Sequence, residues 1–343
     1  MFSSLLKRFS YTFPPECIAQ APASPRDSAR LLIYDRKTKK THIDTFLNLP
    51  LYVPRNAVIV LNNTKVIPAR LTLIKKTGGT VRVLYISHTT RTIKVLADRR
   101  LMVGSTLTLN KNIRFYVRAQ HDNQWELNPT FPIRSLYAVL ERHGATPIPP
   151  YIKHTPPSPK ELKKDYQTLF AKQKGSVAAP TASLHFSKRV LKKLKARGCV
   201  IAYITLHVGL GTFAPLTDAM VSQKKLHKET YSIDSKTLSI LNKTKKEKRP
   251  IIAVGTTVVR ALESSSNARG VLKKRTGETS LFITEQYRPR FIDQLITNFH
   301  VPQSSLLMLV SAFVPRTVLL ALYRLALSKK FRFFSFGDGM YVR

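Results

Sequence analysis

Acidic residues are scarce in this sequence. Nineteen Asp+Glu stand against 57 Lys+Arg in 343 residues, a formal net charge of +38. Such a surface disfavours cationic ligands and favours polyanions, either nucleic acid or anionic lipid headgroups. Cysteine is nearly absent. Cys17 and Cys199 lie far apart and outside any C-x-x-C spacing, which excludes a disulfide framework or thiolate zinc site and fits a reducing, cytoplasmic setting. Long apolar runs are also missing, since the longest, near residues 306–314, falls short of the roughly 18 residues a spanning helix needs. The first thirteen residues carry Lys7 and Arg8 but no apolar core or cleavage site, so they read as a short extension and not a targeting segment. The nine histidines lack H-E-x-x-H or paired short spacings, so no metal is expected. What remains is ample for a core: 43% of residues are hydrophobic and 9% aromatic, enough for two globular domains.

From about residue 181 the pattern alternates. Leu184, Val190, Leu191 and Leu194 have helical spacing from Thr181 to a stop at Gly198, and the apolar run 199–205 follows as a buried strand. The same order recurs with a Lys-rich helix at 235–247, a strand at 250–254 and a helix opening at Thr256. A strand at 280–284 and apolar helices at 304–313 and 318–327 complete the series. This grammar predicts an α/β domain with a largely parallel sheet covered on both faces. Residues 71–129 differ, with short Thr/Val/Ile/Leu/Tyr runs, turn signals such as Gly78-Gly79 and no helical period. Because residues 57–61 again read as a buried strand, the β-rich block sits inside the chain. Pro68 and Pro147-Ile148-Pro149-Pro150 are its expected hinges, giving a discontinuous α/β domain at 1–69 and 148–343 and an inserted all-β domain at 70–147.

Five places could hold chemistry. The small-residue run from Gly175 to Ala182, with Ser176, Thr181 and then His185, would let a ligand approach backbone amides at a helix start; tight helix packing explains it equally well. His207-Val208-Gly209-Leu210-Gly211-Thr212 follows a strand, where open α/β sheets gather ligands, although it is not a full G-x-G-x-x-G fingerprint. Gly255-Thr256-Thr257 with Arg260 suits an anion or a ribose; the plainer reading is Thr capping with Arg260 paired to Glu263. His227 and Glu229 are two apart, which in an extended segment would put both on one face and suit proton transfer; the plainer reading is surface decoration. Thr297-Asn298-Phe299-His300 is a polar cluster ahead of an apolar helix.

Taken together, these segments resemble one family, the S-adenosylmethionine:tRNA ribosyltransferase-isomerases of the queuosine pathway. The likeness extends from about residue 18 to 340. It includes Arg26-Asp27-Ser28-Ala29-Arg30, Asn62-Asn63-Thr64-Lys65-Val66-Ile67-Pro68-Ala69-Arg70, Tyr166-Gln167-Thr168 and Gly175 to Phe186. Thr205 to Phe213, Gly255 to Ser264, Asp293 to Pro302 and Phe333-Phe334-Ser335-Phe336-Gly337-Asp338 continue it. The resemblance implies a larger α/β domain with an inserted, smaller β-barrel-like domain. It implies a cytoplasmic, monomeric enzyme without metal or resident cofactor, consuming S-adenosylmethionine as a substrate. The ribosyl moiety would pass to 7-aminomethyl-7-deazaguanine at the wobble position of tRNA and isomerise, giving epoxyqueuosine-tRNA, adenine and methionine.

That chemistry needs a base for a proton beside the sulfonium and assistance for departing adenine. His185, His207, His227 and Glu229 form the candidate pool. The methionyl carboxylate would suit amides near Thr256-Thr257 or from Ser176 to Thr181, with Arg260 as counter-ion. Ribose and adenine would suit Asn298, His300 and the loop holding Gly209, Gly211 and Thr212. For tRNA, Arg26, Arg30, Lys65 and Arg70 lie in matching segments, whereas the lysine runs at 192–193, 243–248 and 273–275 read as a solvated face. Several positions depart from the family pattern: Asn63 for aspartate, Lys65 for arginine, Ser183 for glycine, Lys224 and Leu226 for the His and Met of His-x-Met-His-x-Glu, and Glu285-Gln286 for Pro-Gly. Two other readings share the charge: an S-adenosylmethionine-dependent RNA methyltransferase and a non-catalytic basic RNA-binding protein.

Overall fold

The computed structural model describes residues 2–153, 158–209 and 216–343. Nine strands form one mixed sheet in the order Thr276–Leu281, Lys225–Ser232, Val200–Leu206, Val58–Asn62, Ile251–Val254, Gln294–Asn298, Gly339–Val342, Arg30–Tyr34 and Thr41–Thr45. The four at its centre, Val200–Leu206 to Gln294–Asn298, run parallel. The expected parallel pairing holds there and again between Gly339–Val342 and Arg30–Tyr34. Beyond the central four, antiparallel pairs form on both sides, one from the short connection between Arg30–Tyr34 and Thr41–Thr45, which is too brief for a crossover.

Alternation along a central strand sends side chains to two separate cores. Val58 and Val60 join Val258, Leu262, Leu241 and Leu319 on one face, while Ile59 and Leu61 join Val190, Leu194 and Leu49 on the other. That is why residues 57–61 read as an unbroken apolar run.

Two expected boundaries shift. The helix predicted from Thr181 begins instead at Lys188, where the Ser187 hydroxyl accepts from the Val190 amide as its N-cap. Thr181–Ser183 is a single 3₁₀ turn, so His185 precedes the helix. The strand predicted at 280–284 lies earlier, at Thr276–Leu281. The first residues are more than an extension. Phe9 is fully buried, its carbonyl accepts from the Gln303 amide, and the Tyr11 hydroxyl donates to the His300 carbonyl.

Between the Thr64–Val66 and Gln173–Ser176 strands, six antiparallel strands close into a barrel: Gln124–Pro129, Ile93–Ala97, Thr80–His88, Arg70–Lys75, Thr106–Asn110 and Ile113–His121. Leu71, Leu73, Val81, Val83, Phe115 and Trp125 fill it, and Leu136 and Leu140 of the Leu136–His143 helix pack onto that core. The chain enters and leaves the barrel side by side, since Arg70 and Ala145 exchange backbone hydrogen bonds. Gly144 is needed there for close approach: a Cβ on it would stand 1.8 Å from the Pro68 carbonyl oxygen. Among the described residues, no helix is long and apolar enough to cross a membrane.

Candidate active site

Parallel strands bring their carboxyl ends to one edge of the sheet, and four of the five candidate segments leave from that edge or pack against it. Asn62 ends the Val58–Asn62 strand and is fully buried. Its Nδ2 donates to the Leu206 carbonyl (2.9 Å) and the Thr257 hydroxyl (3.3 Å), and its Oδ1 accepts from the amides of Thr64 and Leu206 (both 3.1 Å). One side chain thus ties together two strand ends and the first turn of the Thr256–Ser265 helix. Sequence reasoning quoted Asn62 without a role. The available signal was a buried amide at a strand end, whose two donors and acceptor must all find partners.

His207 follows directly. Its Nδ1 lies 2.8 Å from the Thr64 hydroxyl, and burial lowers its pKa, leaving it neutral at physiological pH. Its ring lies against the Gly175 backbone, where φ is +145° and a Cβ would come within 2.9 Å of ring atoms. Ser176 is fully buried. Its hydroxyl donates to the Ala178 carbonyl (2.7 Å) and accepts from the Val208 amide (2.9 Å), so it secures the loop after His207. Gly209 donates its amide to Glu229 Oε1 (3.0 Å). Gly211 and Thr212 lie outside the described residues.

Glu229 is buried and its other oxygen pairs with Arg260 Nη1. Arg260 also donates to the carbonyls of Leu281 (3.2 Å) and Thr279 (3.4 Å). The helical Arg260–Glu263 pairing therefore does not form. Glu263 instead accepts from the Tyr287 hydroxyl and from the amides of Arg290, Phe291 and Ile292. His227 is half-buried in the Lys225–Ser232 strand, where the register with Thr276–Leu281 shifts between Lys225 and Glu229.

A second cluster ends the Gln294–Asn298 strand. The Thr181 hydroxyl donates to Asn298 Oδ1 (3.0 Å), and Asn298 Nδ2 stands 3.4 Å from His185 Nε2. His185 is buried and stacks on Phe46 with ring centroids 4.2 Å apart. Burial first, then the charges of Arg332 and Arg26, push its pKa down to about 3; a hydrogen bond to the Arg26 carbonyl opposes them. The ring is therefore neutral, held between the Asn298 amide and the Arg26 carbonyl. Burial also takes His300 down to about 3. Its Nε2 meets the Thr297 hydroxyl at 3.2 Å, while its Nδ1 is closed from solvent with no partner.

Gly255, with φ +89°, turns the Ile251–Val254 strand into the Thr256–Ser265 helix, a conformation suited to glycine. The amides of Thr256 and Thr257 are in the helix's first turn, where no intrahelical acceptor exists and the dipole favours negative charge.

The residues expected to meet tRNA divide. Arg26 donates to the carbonyls of Gln167 (2.5 Å), Lys164 (2.8 Å) and Asp165 (3.1 Å), and Arg30 to that of Lys329 (2.6 Å) while covering Phe331. Both guanidinium groups are already engaged within the chain. Lys65 is half-buried in the Thr64–Val66 strand, and Arg70 opens the barrel. Of the departures, Asn63 accepts from the Thr205 hydroxyl (2.7 Å), which an aspartate would do equally, and Glu285 pairs with Arg8 and Arg316. Ser183 is buried with an unpartnered hydroxyl, and nothing in the structure explains it.

The chain matches the family described as queuosine biosynthesis protein over residues 6–342. It is 42% identical to the S-adenosylmethionine:tRNA ribosyltransferase-isomerase of Sulfurihydrogenibium sp., covering 98% of this chain and 99% of that protein. It is 41% identical to the enzyme of that name from Fusobacterium nucleatum, with 99% and 97% covered. The crystal structure of S-adenosylmethionine tRNA ribosyltransferase from Thermotoga maritima is similar with a TM-score of 0.56 and 28% identity, covering 98% of this chain and 100% of that one. This chain therefore belongs to the queuosine biosynthesis protein family.

Proposed function

We propose that this chain transfers and isomerises the ribosyl moiety of S-adenosylmethionine onto 7-aminomethyl-7-deazaguanine at the tRNA wobble position, giving epoxyqueuosine-tRNA, adenine and methionine. Its substrates would be tRNA and S-adenosylmethionine, its compartment the cytoplasm and its working unit a monomer, with no metal or resident cofactor. The observation that carries this reading is the joint held by Asn62, whose one amide nitrogen touches both the Leu206 carbonyl and the Thr257 hydroxyl. A neutral imidazole, His207, and a helix N-terminus are thereby anchored at a common point. A base and an anion site are what a sulfonium amino acid requires.

In this reading the amides of Thr256 and Thr257 receive the methionyl carboxylate. His207, with Nδ1 held by Thr64, presents Nε2 to the acidified proton beside sulfur. Arg260 acts through Glu229, which holds the Gly209 amide, and Gly211 and Thr212 complete the candidate set. Thr181, Asn298, His185 and His300 bind ribose and adenine through neutral donors and acceptors, with His227 at the rim. The test uses purified protein, S-adenosylmethionine and tRNA carrying the 7-aminomethyl-7-deazaguanine precursor. Release of adenine and methionine in equal amounts is expected. Formation of S-adenosylhomocysteine would identify a methyltransferase instead, and RNA binding without turnover would leave a non-catalytic protein.

A further inference from the structure

The opposite edge of the sheet carries a cleft of about 740 Å³. Three distant stretches of chain line it with six cationic residues: Arg36 and Lys37 after the Arg30–Tyr34 strand, Lys245, Lys248 and Arg249 at the turn into Ile251–Val254, and Arg343 after Gly339–Val342. Two carboxylates line it, Asp35 and Asp293, and a third, Glu247, pairs with Arg249 at 3.0 Å, leaving a formal excess of three positive charges. Residues 243–248 read in sequence as an ordinary solvated lysine face. The fold instead gathers part of that run beside arginines more than 90 positions away in either direction.

Internal bonds aim these side chains without exhausting them. Arg36 Nη2 donates to the Asp293 carbonyl (2.5 Å), Arg249 Nε to that of Asn56 (2.9 Å), and Lys245 Nζ to Asp293 Oδ1 (3.0 Å). Arg343 pairs with Asp35 (2.9 Å), yet its Nε is shut from solvent with no acceptor. Lys37 and Lys248 are exposed. The side chains of Lys245, Arg249 and Arg343 stay about one-third exposed, at 29%, 31% and 31%. Spread, part-hydrated cations fit a run of phosphodiesters better than one desolvated free anion, which needs donors converging on a single point.

We propose that this cleft binds backbone phosphates of the RNA substrate, at a place separate from the reacting nucleotide. The five-residue Val58–Asn62 strand puts roughly 16 Å between the two edges, so the phosphates held here are not those flanking the wobble position. The proposal rests on the tRNA reading above and adds a second anchoring surface to it.

The test compares the intact protein with a Lys37→Glu/Lys248→Glu variant and a control of equal charge change, Lys192→Glu/Lys193→Glu, placed on the exposed face of another helix. tRNA affinity is measured across salt concentrations. Loss of about two phosphate contacts should weaken binding about tenfold and flatten the log–log salt slope by about 1.5 for the cleft variant. The control should shift far less, and calorimetric binding of S-adenosylmethionine should be the same in all three. Lys37→Ala/Lys248→Ala should give a smaller change in the same direction, which guards against a misfolded charge reversal. Equal behaviour of cleft variant and control overturns the proposal. So does inorganic phosphate that binds the intact protein in a Lys248-dependent way without competing with tRNA. Failure of the intact protein to bind tRNA at all would instead remove the functional reading beneath it.

Discussion

At Glu229 one carboxylate does two jobs, receiving the Gly209 amide and closing a buried ion pair with Arg260. The pair need not be a net source of stability, because desolvating two charges offsets most of their attraction. Breaking it from one side is different. Glu229→Gln keeps an acceptor for Gly209 but leaves Arg260 buried and uncompensated, so stability should fall by about 3–5 kcal/mol in urea denaturation. A change under 1 kcal/mol would mean that water reaches the pair. His185 and His300 set the acid side of the stability profile. Both have folded-state pKa values near 3, below the unfolded value, so the unfolded chain takes up protons first. Stability is then fully present above about pH 6.5 and declines as pH falls from there toward 3, by up to about 1.4 kcal/mol per unit for each histidine. His185→Gln should remove one histidine's share of that slope, read from denaturation midpoints at pH 7, 6 and 5. An unchanged slope would show that the folded chain protonates His185 as readily as the unfolded one.

Among elements, the turn at Gly175 decides how His207 is aimed. A methyl group there would press on the ring, and its φ of +145° is one that side chains avoid. Gly175→Ala should therefore cut the rate of adenine release more than it alters tRNA affinity. Equal loss of both would point to general unfolding instead. Much at this scale was legible beforehand. The apolar runs ending at Leu206 and Val254 and the Lys-rich helix Ser235–Lys246 appear within a residue or so of expectation, because buried parallel strands and amphipathic helices write their period into the sequence. The Lys225–Ser232 strand was not read as one, since its exposed Lys228 and Thr230 alternate with buried Glu229 and Tyr231, and a buried acid disguises the pattern. Pairings were not legible either. Glu229 meets Arg260 from 31 positions away and His185 meets Asn298 from 113, and no local spacing encodes such contacts.

For the molecule as a whole, the question is how a charge of +38 is distributed over a sheet and a barrel that meet at a narrow seam. Arg70 lies at that seam, its backbone paired with Ala145 where the chain re-enters, and its guanidinium is desolvated and held near the charge of Arg82, which lowers its pKa. A partly dehydrated cation at a junction interacts with a phosphate more strongly than a fully hydrated one, because the effective dielectric is lower there. Lys246 is the opposite case, exposed at the end of the Ser235–Lys246 helix and surrounded by other lysines that share any long-range attraction. Both substitutions remove one positive charge, so a field set by net charge alone would feel them equally. Arg70→Ala should weaken tRNA binding several-fold at fixed salt, whereas Lys246→Ala should change it by less than about twofold once screening over roughly 8 Å at physiological ionic strength is included. Equal losses would mean that the RNA responds to total charge and not to where the fold has placed it.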